Sequence, residues 1–85
     1  MKVFRTVDFD RAYRNLPKEI QKLCDVQLER FEESPRDPRL HGKKLHDTGG
    51  VFSLRITRRY RAFFYLQNPE VVIFFDVDHR KDSYR

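Results

Sequence analysis

Apolar residues recur along the chain with two different periods, and the switch between them divides it. Lys2 to Val7 is short, β-branched and aromatic, which predicts a strand. Asp8 follows as a residue able to cap a helix by accepting from free backbone N–H groups. Phe9, Ala12, Tyr13 and Leu16 then fall at the spacing of one helical stripe. Pro17 ends that helix and suits the first position of the next, predicted over Lys18 to Glu33. Leu16, Ile20, Leu23, Cys24, Leu28 and Phe31 form its apolar stripe. Lys18, Glu19, Lys22, Asp25, Glu29 and Glu32 form a solvated outer face. The Ser34-Pro35-Arg36-Asp37-Pro38 run stops the helix, because proline cannot continue it and biases its predecessor away from it.

Beyond this point the period falls to two. After a Lys-, His- and Gly-rich loop from Arg39 to Gly50, Val51 to Thr57 alternates. Phe52, Leu54 and Ile56 share one face, and Ser53, Arg55 and Thr57 the other. Thr57-Arg58-Arg59-Tyr60 permits a tight turn. Tyr60 to Leu66 returns with Arg61, Phe63 and Tyr65 on one face and Ala62, Phe64 and Leu66 on the other. Gln67-Asn68-Pro69-Glu70 is a second turn signal, and Val71 to Val77 completes a meander. The predicted fold class is α+β: a four-stranded antiparallel or mixed sheet, order β-α-α-β-β-β, with an N-terminal helix hairpin on one face. The N-terminal strand adds at an edge or beside the last strand.

Length and composition narrow the function classes. The 85 residues are expected to form one domain over residues 1–85. Eight Phe and four Tyr compensate for the small core that this length permits. Cys24 stands alone, so no internal disulfide forms, and its helical position suggests a small buried hydrophobe in a reducing compartment. No segment approaches the roughly 20 apolar residues of a membrane span. The first residues lack a signal-peptide core, so a cytoplasmic location is expected.

The formal charge is +5, which points to a polyanionic or acidic partner. Its distribution is more informative than its total. Between Ser34 and Arg61 stand Arg36, Arg39, Lys43, Lys44, Arg55, Arg58, Arg59 and Arg61 against only Asp37 and Asp47, a local charge of +6. The face expected to carry Arg55 and Arg61 also carries Phe63 and Tyr65. Guanidinium groups beside aromatic rings suit RNA, whose phosphates are held by charge and whose bases stack. Simple solvation would also account for Lys43, Lys44, Arg58 and Arg59, and core packing for Phe63 and Tyr65. Arg55 and Arg61 are harder to dismiss, since a mid-strand charge needs open solvent or an anion. The last strand runs into Asp78-His79-Arg80-Lys81-Asp82-Ser83-Tyr84-Arg85, which brings His, Arg, Lys and Tyr to one place. The three His and nearby Asp show no recognised metal spacing, and neither a metal nor a cofactor is implied.

Four segments together resemble the RelE/ParE toxin superfamily: Leu40 to Leu45, Gly50 to Ile56, Tyr60 to Tyr65 and Asp78 to Arg85. The likeness covers nearly the whole chain and is nearest to the RelE-like variety, whose chains often close in a His-Arg-x-x-x-Tyr segment. The resemblance implies a type II toxin, a ribosome-dependent endoribonuclease that cleaves mRNA in the ribosomal A site. It also implies a cognate acidic antitoxin, encoded alongside, with a hetero-tetramer as one form of the complex. It assigns Arg61 to the scissile phosphate, and Arg80 and Tyr84 to catalysis, with Arg55 at an often basic position. Ser53 stands where the best-studied members place a lysine, and the Arg80-to-Tyr84 spacing is shorter than theirs.

Such a site would cut RNA by attack of a ribose 2′-OH on the adjacent phosphorus, without a metal. Arg61 and Arg55, helped by Arg80, would hold the phosphate through planar, permanently charged forks of donors. Lys43, Lys44, Arg58, Arg59 and Lys81 are candidates for further RNA contacts. Tyr84 or His79 would be the base. Histidine titrates naturally at about 6.5, whereas tyrosine needs nearby cations to favour its phenolate. Arg80, Lys81 or His79 would be the acid. Two other functions use the same fold: a ParE-like inhibitor of DNA gyrase, and a degenerate toxin kept only as an antitoxin-binding protein.

Overall fold

The structure, a computed structural model, describes residues 1–79. The element order is β1 (Lys2–Arg5), α1 (Val7–Arg14), α2 (Lys18–Glu33), a 3₁₀ turn (Pro38–Leu40), β2 (Lys43–Lys44), β3 (Val51–Arg55), β4 (Tyr60–Asn68) and β5 (Val71–His79). The strands form one mixed sheet in the order β1-β5-β4-β3-β2. β1 lies at an edge and also beside the last strand, running parallel to β5 with Lys2 opposite Val71 and Arg5 opposite Phe74. The α+β class and helix hairpin are as the sequence predicts. The sheet gains a fifth strand, β2, where a loop is expected: Lys43 and Lys44 pair antiparallel with Ser53 and Phe52.

Both helices pack on one face of the sheet. Phe74 shows this directly, because its ring meets Phe9 of α1 at 6.0 Å and Phe31 of α2 at 5.4 Å, both edge to face. Around it the core gathers Cys24, Leu28, Leu40, Leu54, Ile56, Ala62, Phe64, Val72 and Val77. α1 is capped by Thr6 rather than by Asp8. The Thr6 hydroxyl accepts from Phe9 N–H at 3.1 Å. Asp8 instead lies within the first turn, where a negative charge complements the helix dipole.

α2 spans the predicted residues, but its buried stripe differs. Leu23 is 44% exposed, while Gln27 is 6% exposed. The sheet-facing line runs through Ile20, Cys24, Gln27, Leu28 and Phe31, and Leu23 falls on its flank. Gln27 is buried because its amide is fully used. It donates to the carbonyls of Arg39 at 3.1 Å and Arg55 at 2.6 Å, and accepts from Arg30 at 2.5 Å. The far side of the sheet carries neither helix, and strand alternation assigns Ser53, Arg55, Arg61, Phe63 and Tyr65 to it. A bulge in β5 skips Phe75 between the pairs Phe63–Asp76 and Phe64–Phe74.

Candidate functional site: the helix-free face of the sheet

Strand register builds this face in rows about 6.6 Å apart. The first row crosses three strands, with Arg55 opposite Arg61 and Arg61 opposite Asp78. The second runs Lys43, Ser53, Phe63, Asp76. The third runs Val51, Tyr65, Ile73. One end of the face is therefore cationic and the other apolar. Arg55 and Arg61 repel across the strands; Asp78, opposite Arg61, offsets part of that charge, and the row keeps a net positive charge suited to a further anion.

Arg61 is held from beneath and from the side. Its Nε–H donates to Ser53 Oγ at 2.9 Å, and Nη2 donates to the His41 carbonyl at 2.7 Å. Ser53 is fully buried, and His41 adopts the left-handed conformation with φ 47° after the 3₁₀ turn. Asp37 shapes that turn. Its carboxylate accepts from Arg39 N–H at 2.9 Å, Nε at 3.1 Å and Nη2 at 2.7 Å, which lowers its pKa to about 2. Arg39 is thereby engaged within its own turn.

The two lysines of β2 part company. Lys43 is the register partner of Ser53 and joins the arginine face, whereas the Lys44 ammonium lies 5.9 Å from the ring centre of Phe52 on the helix side. Arg58 and Arg59 are exposed at the hairpin tip, just beyond the arginine row. Thr57 shapes that tip by accepting from the N–H groups of Arg59 and Tyr60 at 3.1 and 3.2 Å. His79 is not brought to Arg61. Alternation after Val77 turns Asp78 toward the arginine row and His79 toward the helices, where its ring meets Tyr60 edge-on at 5.3 Å. In the second row, burial raises the pKa of Asp76, with Asp78 and Asp8 adding to the rise and a hydrogen bond from Val77 N–H opposing it. Arg80, Lys81 and Tyr84 lie outside the described residues.

At the apolar end, Tyr65 is 39% exposed and its ring centre lies 5.8 Å from that of Phe75. These rings and Val51 border a cleft closed by Gly49 and Gly50, whose positive φ angles of 74° and 105° suit glycine. Phe63 is buried although it lies on the helix-free face. Across the sheet, a groove of about 680 Å³ opens between the end of α2 and the helix-side strands, lined by Phe31, Phe52, Phe64, Leu66 and Val72. Among the described residues no group of His, Cys, Asp or Glu is placed to hold a metal, and no helix is long and apolar enough to cross a membrane. The Cys24 thiol is pushed up to about 12, chiefly by burial, which keeps it protonated.

Sequence reasoning missed Gln27 and the His41 carbonyl. The first was detectable, since it falls between Cys24 and Phe31 on the helical period. The second is a backbone group and carries no residue-type signal.

A mixed sheet with a helix hairpin on one side is the RelE-like fold, as the match to solved structures shows. The archaeal RelE–RelB complex from Pyrococcus horikoshii OT3 matches with TM-score 0.74 at 19% identity, over 96% of this chain and 97% of that chain. The RelB–RelE antitoxin–toxin complex from Methanococcus jannaschii gives 0.77 at 22%, over 93% and 92%. The RelBE2 toxin–antitoxin complex from Mycobacterium tuberculosis gives 0.68 at 29%, over 93% and 96%. Curated proteins gave no match. The family model described as ParE toxin of type II toxin–antitoxin system, parDE, matches residues 3–84, and the chain belongs to that family.

Proposed function

We propose that this toxin is a ribosome-dependent endoribonuclease that cleaves mRNA without a metal. The observation that carries this reading is the Arg61 guanidinium, fixed on the helix-free face by two hydrogen bonds and directly opposite Arg55. Arg61, Arg55 and Lys43 hold the scissile phosphate. The 2′-OH loses its proton, its oxygen bonds to phosphorus, and the P–O5′ bond breaks. The leaving oxygen takes a proton from Arg80 or Lys81, leaving a cyclic phosphate on one product and a 5′-OH on the other. Fixed charge and alignment supply most of the acceleration. On this reading Tyr84 is the base, a choice supported by the His79 ring facing Tyr60, with Arg80 and Lys81 as the cations that favour its phenolate. Arg58 and Arg59 extend the cationic track, and Tyr65 offers a ring for a base.

The partner on this reading is an acidic antitoxin, encoded alongside, that neutralises the basic face and fills the apolar groove beside Leu66. A hetero-tetramer of two toxins and two antitoxins in the cytoplasm is the expected assembly. The test is primer extension on ribosome-bound mRNA. Arg61→Ala should slow cleavage by about 100- to 1,000-fold, and unchanged cleavage would sink the nuclease reading. One observation favours a second reading, the match to the ParE family model. Inhibition of gyrase supercoiling by a wild-type protein that leaves mRNA intact would establish it instead.

A further inference from the structure

Ser53 is the buried polar residue of the arginine face, with no exposure at all, set between its register partners Lys43 and Phe63. A hydroxyl buried in this way requires a hydrogen-bond partner, and it takes one in the Nε–H of Arg61 at 2.9 Å. The His41 carbonyl takes Nη2 of the same guanidinium at 2.7 Å. Nε–H and the Nη2 hydrogen beside it form one edge of the planar fork. Two acceptors from separate parts of the fold, β3 and the loop after the 3₁₀ turn, thus grip a single edge. A plane held at two points on one edge cannot rotate about either bond, so the direction of the adjoining edge, Nη1 and the second hydrogen of Nη2, is set.

The second acceptor is itself held in place. His41 has φ 47°, a left-handed conformation that a non-glycine residue enters only at a cost. Its N–H is bound to the Pro38 carbonyl at 3.1 Å, and the Asp37–Arg39 contacts brace the same turn.

We propose that Ser53, acting with the His41 carbonyl, is a positioning residue for Arg61, locking the guanidinium plane so that its adjoining Nη1–Nη2 edge meets the RNA phosphate already aligned. The inference rests on the phosphate-binding reading of Arg61 and assigns Ser53 no contact with RNA.

Full-length wild type, Ser53→Ala, Arg61→Ala and the double variant are compared in two assays. Hydrogen exchange at the Arg61 Nε–H, followed by ¹⁵N NMR, reports whether Ser53 holds the group, whatever the activity. Single-turnover cleavage of ribosome-bound mRNA reports whether the hold matters. Ser53→Ala should speed Nε–H exchange and slow cleavage by about 10- to 100-fold, with the thermal midpoint close to wild type because water can reach the released Arg61. In the Arg61→Ala background it should change cleavage less than about twofold, since independent sites alone add. Faster exchange with unchanged cleavage, slower cleavage with unchanged exchange, or no change in either overturns the inference. If Arg61→Ala itself leaves cleavage intact, it is the phosphate reading that has failed, and the exchange data still say whether Ser53 holds Arg61.

Discussion

Two buried or half-buried side chains make predictions that do not depend on what the toxin cuts. Gln27 ties α2 to the end of β3 and to the 3₁₀ turn through the carbonyls of Arg55 and Arg39. Replacing it with Leu keeps the bulk but leaves both carbonyls and the Arg30 donor without that amide. The expected loss is about 2–4 kcal/mol, because an unmade buried hydrogen bond costs more than a made one contributes. Urea unfolding should show it as a lower midpoint at an unchanged slope. Asp76 behaves in the opposite sense. Its folded pKa is raised above the ordinary 3.8, mainly by burial. The folded state therefore holds its proton more tightly than the unfolded chain does, so ionisation weakens the fold as pH rises from about 3.8 through the raised value. Asp76→Asn removes that penalty while keeping an oxygen for the Val77 N–H. Thermal melts should find the variant more stable than wild type at pH 7 and the gain gone below pH 3.

At the scale of elements, the ends of α1 and the strands around the loop after it decide where the site sits. Thr6 both caps α1 and continues the β1 ladder, its N–H bonding the Phe74 carbonyl at 3.0 Å. Thr6→Ala should cost about 1 kcal/mol, measurable by chemical denaturation, and Thr6→Ser should restore most of it. The sequence announced α2 and the meander because Pro17, the Ser34-Pro35 stop and the alternation from Val51 are strong local signals. It placed the cap at Asp8, since threonine and aspartate are both good caps and only the path of β1 selects Thr6. β2 was not legible because two lysines inside a His- and Gly-rich loop show no alternation, and the pair becomes a strand only when β3 offers an edge. That same pairing splits Lys43 from Lys44, two residues of equal chemistry that the sequence could only treat alike. The arginine row was legible as alternation, while the grip on Arg61 depends on a loop carbonyl that no pattern of side chains reveals.

For the whole molecule, the helix-free face is divided along β4, with Arg61 at one end and Tyr65 at the other, about 13 Å apart along the strand. Such a division separates two contributions to RNA binding that respond differently to salt. Phosphate contacts release counterions, so the logarithm of affinity falls with the logarithm of salt concentration, with a slope of about −0.7 per phosphate neutralised on a single strand. A base stacked on a ring adds about 1–3 kcal/mol with no such dependence. Replacing both Arg58 and Arg59 with Ala should therefore shallow the slope by about 1.4 if the hairpin tip tracks the RNA backbone. An unchanged slope would mean that these arginines are merely solvated. Tyr65→Ala should instead weaken binding by about 5- to 150-fold with the slope intact. Fluorescence anisotropy on a short single-stranded RNA, titrated across salt for the three proteins, reads both effects at once. A Tyr65 variant that binds as wild type would confine recognition to the cationic end, leaving the aromatic end to the packing of the toxin itself or to its antitoxin.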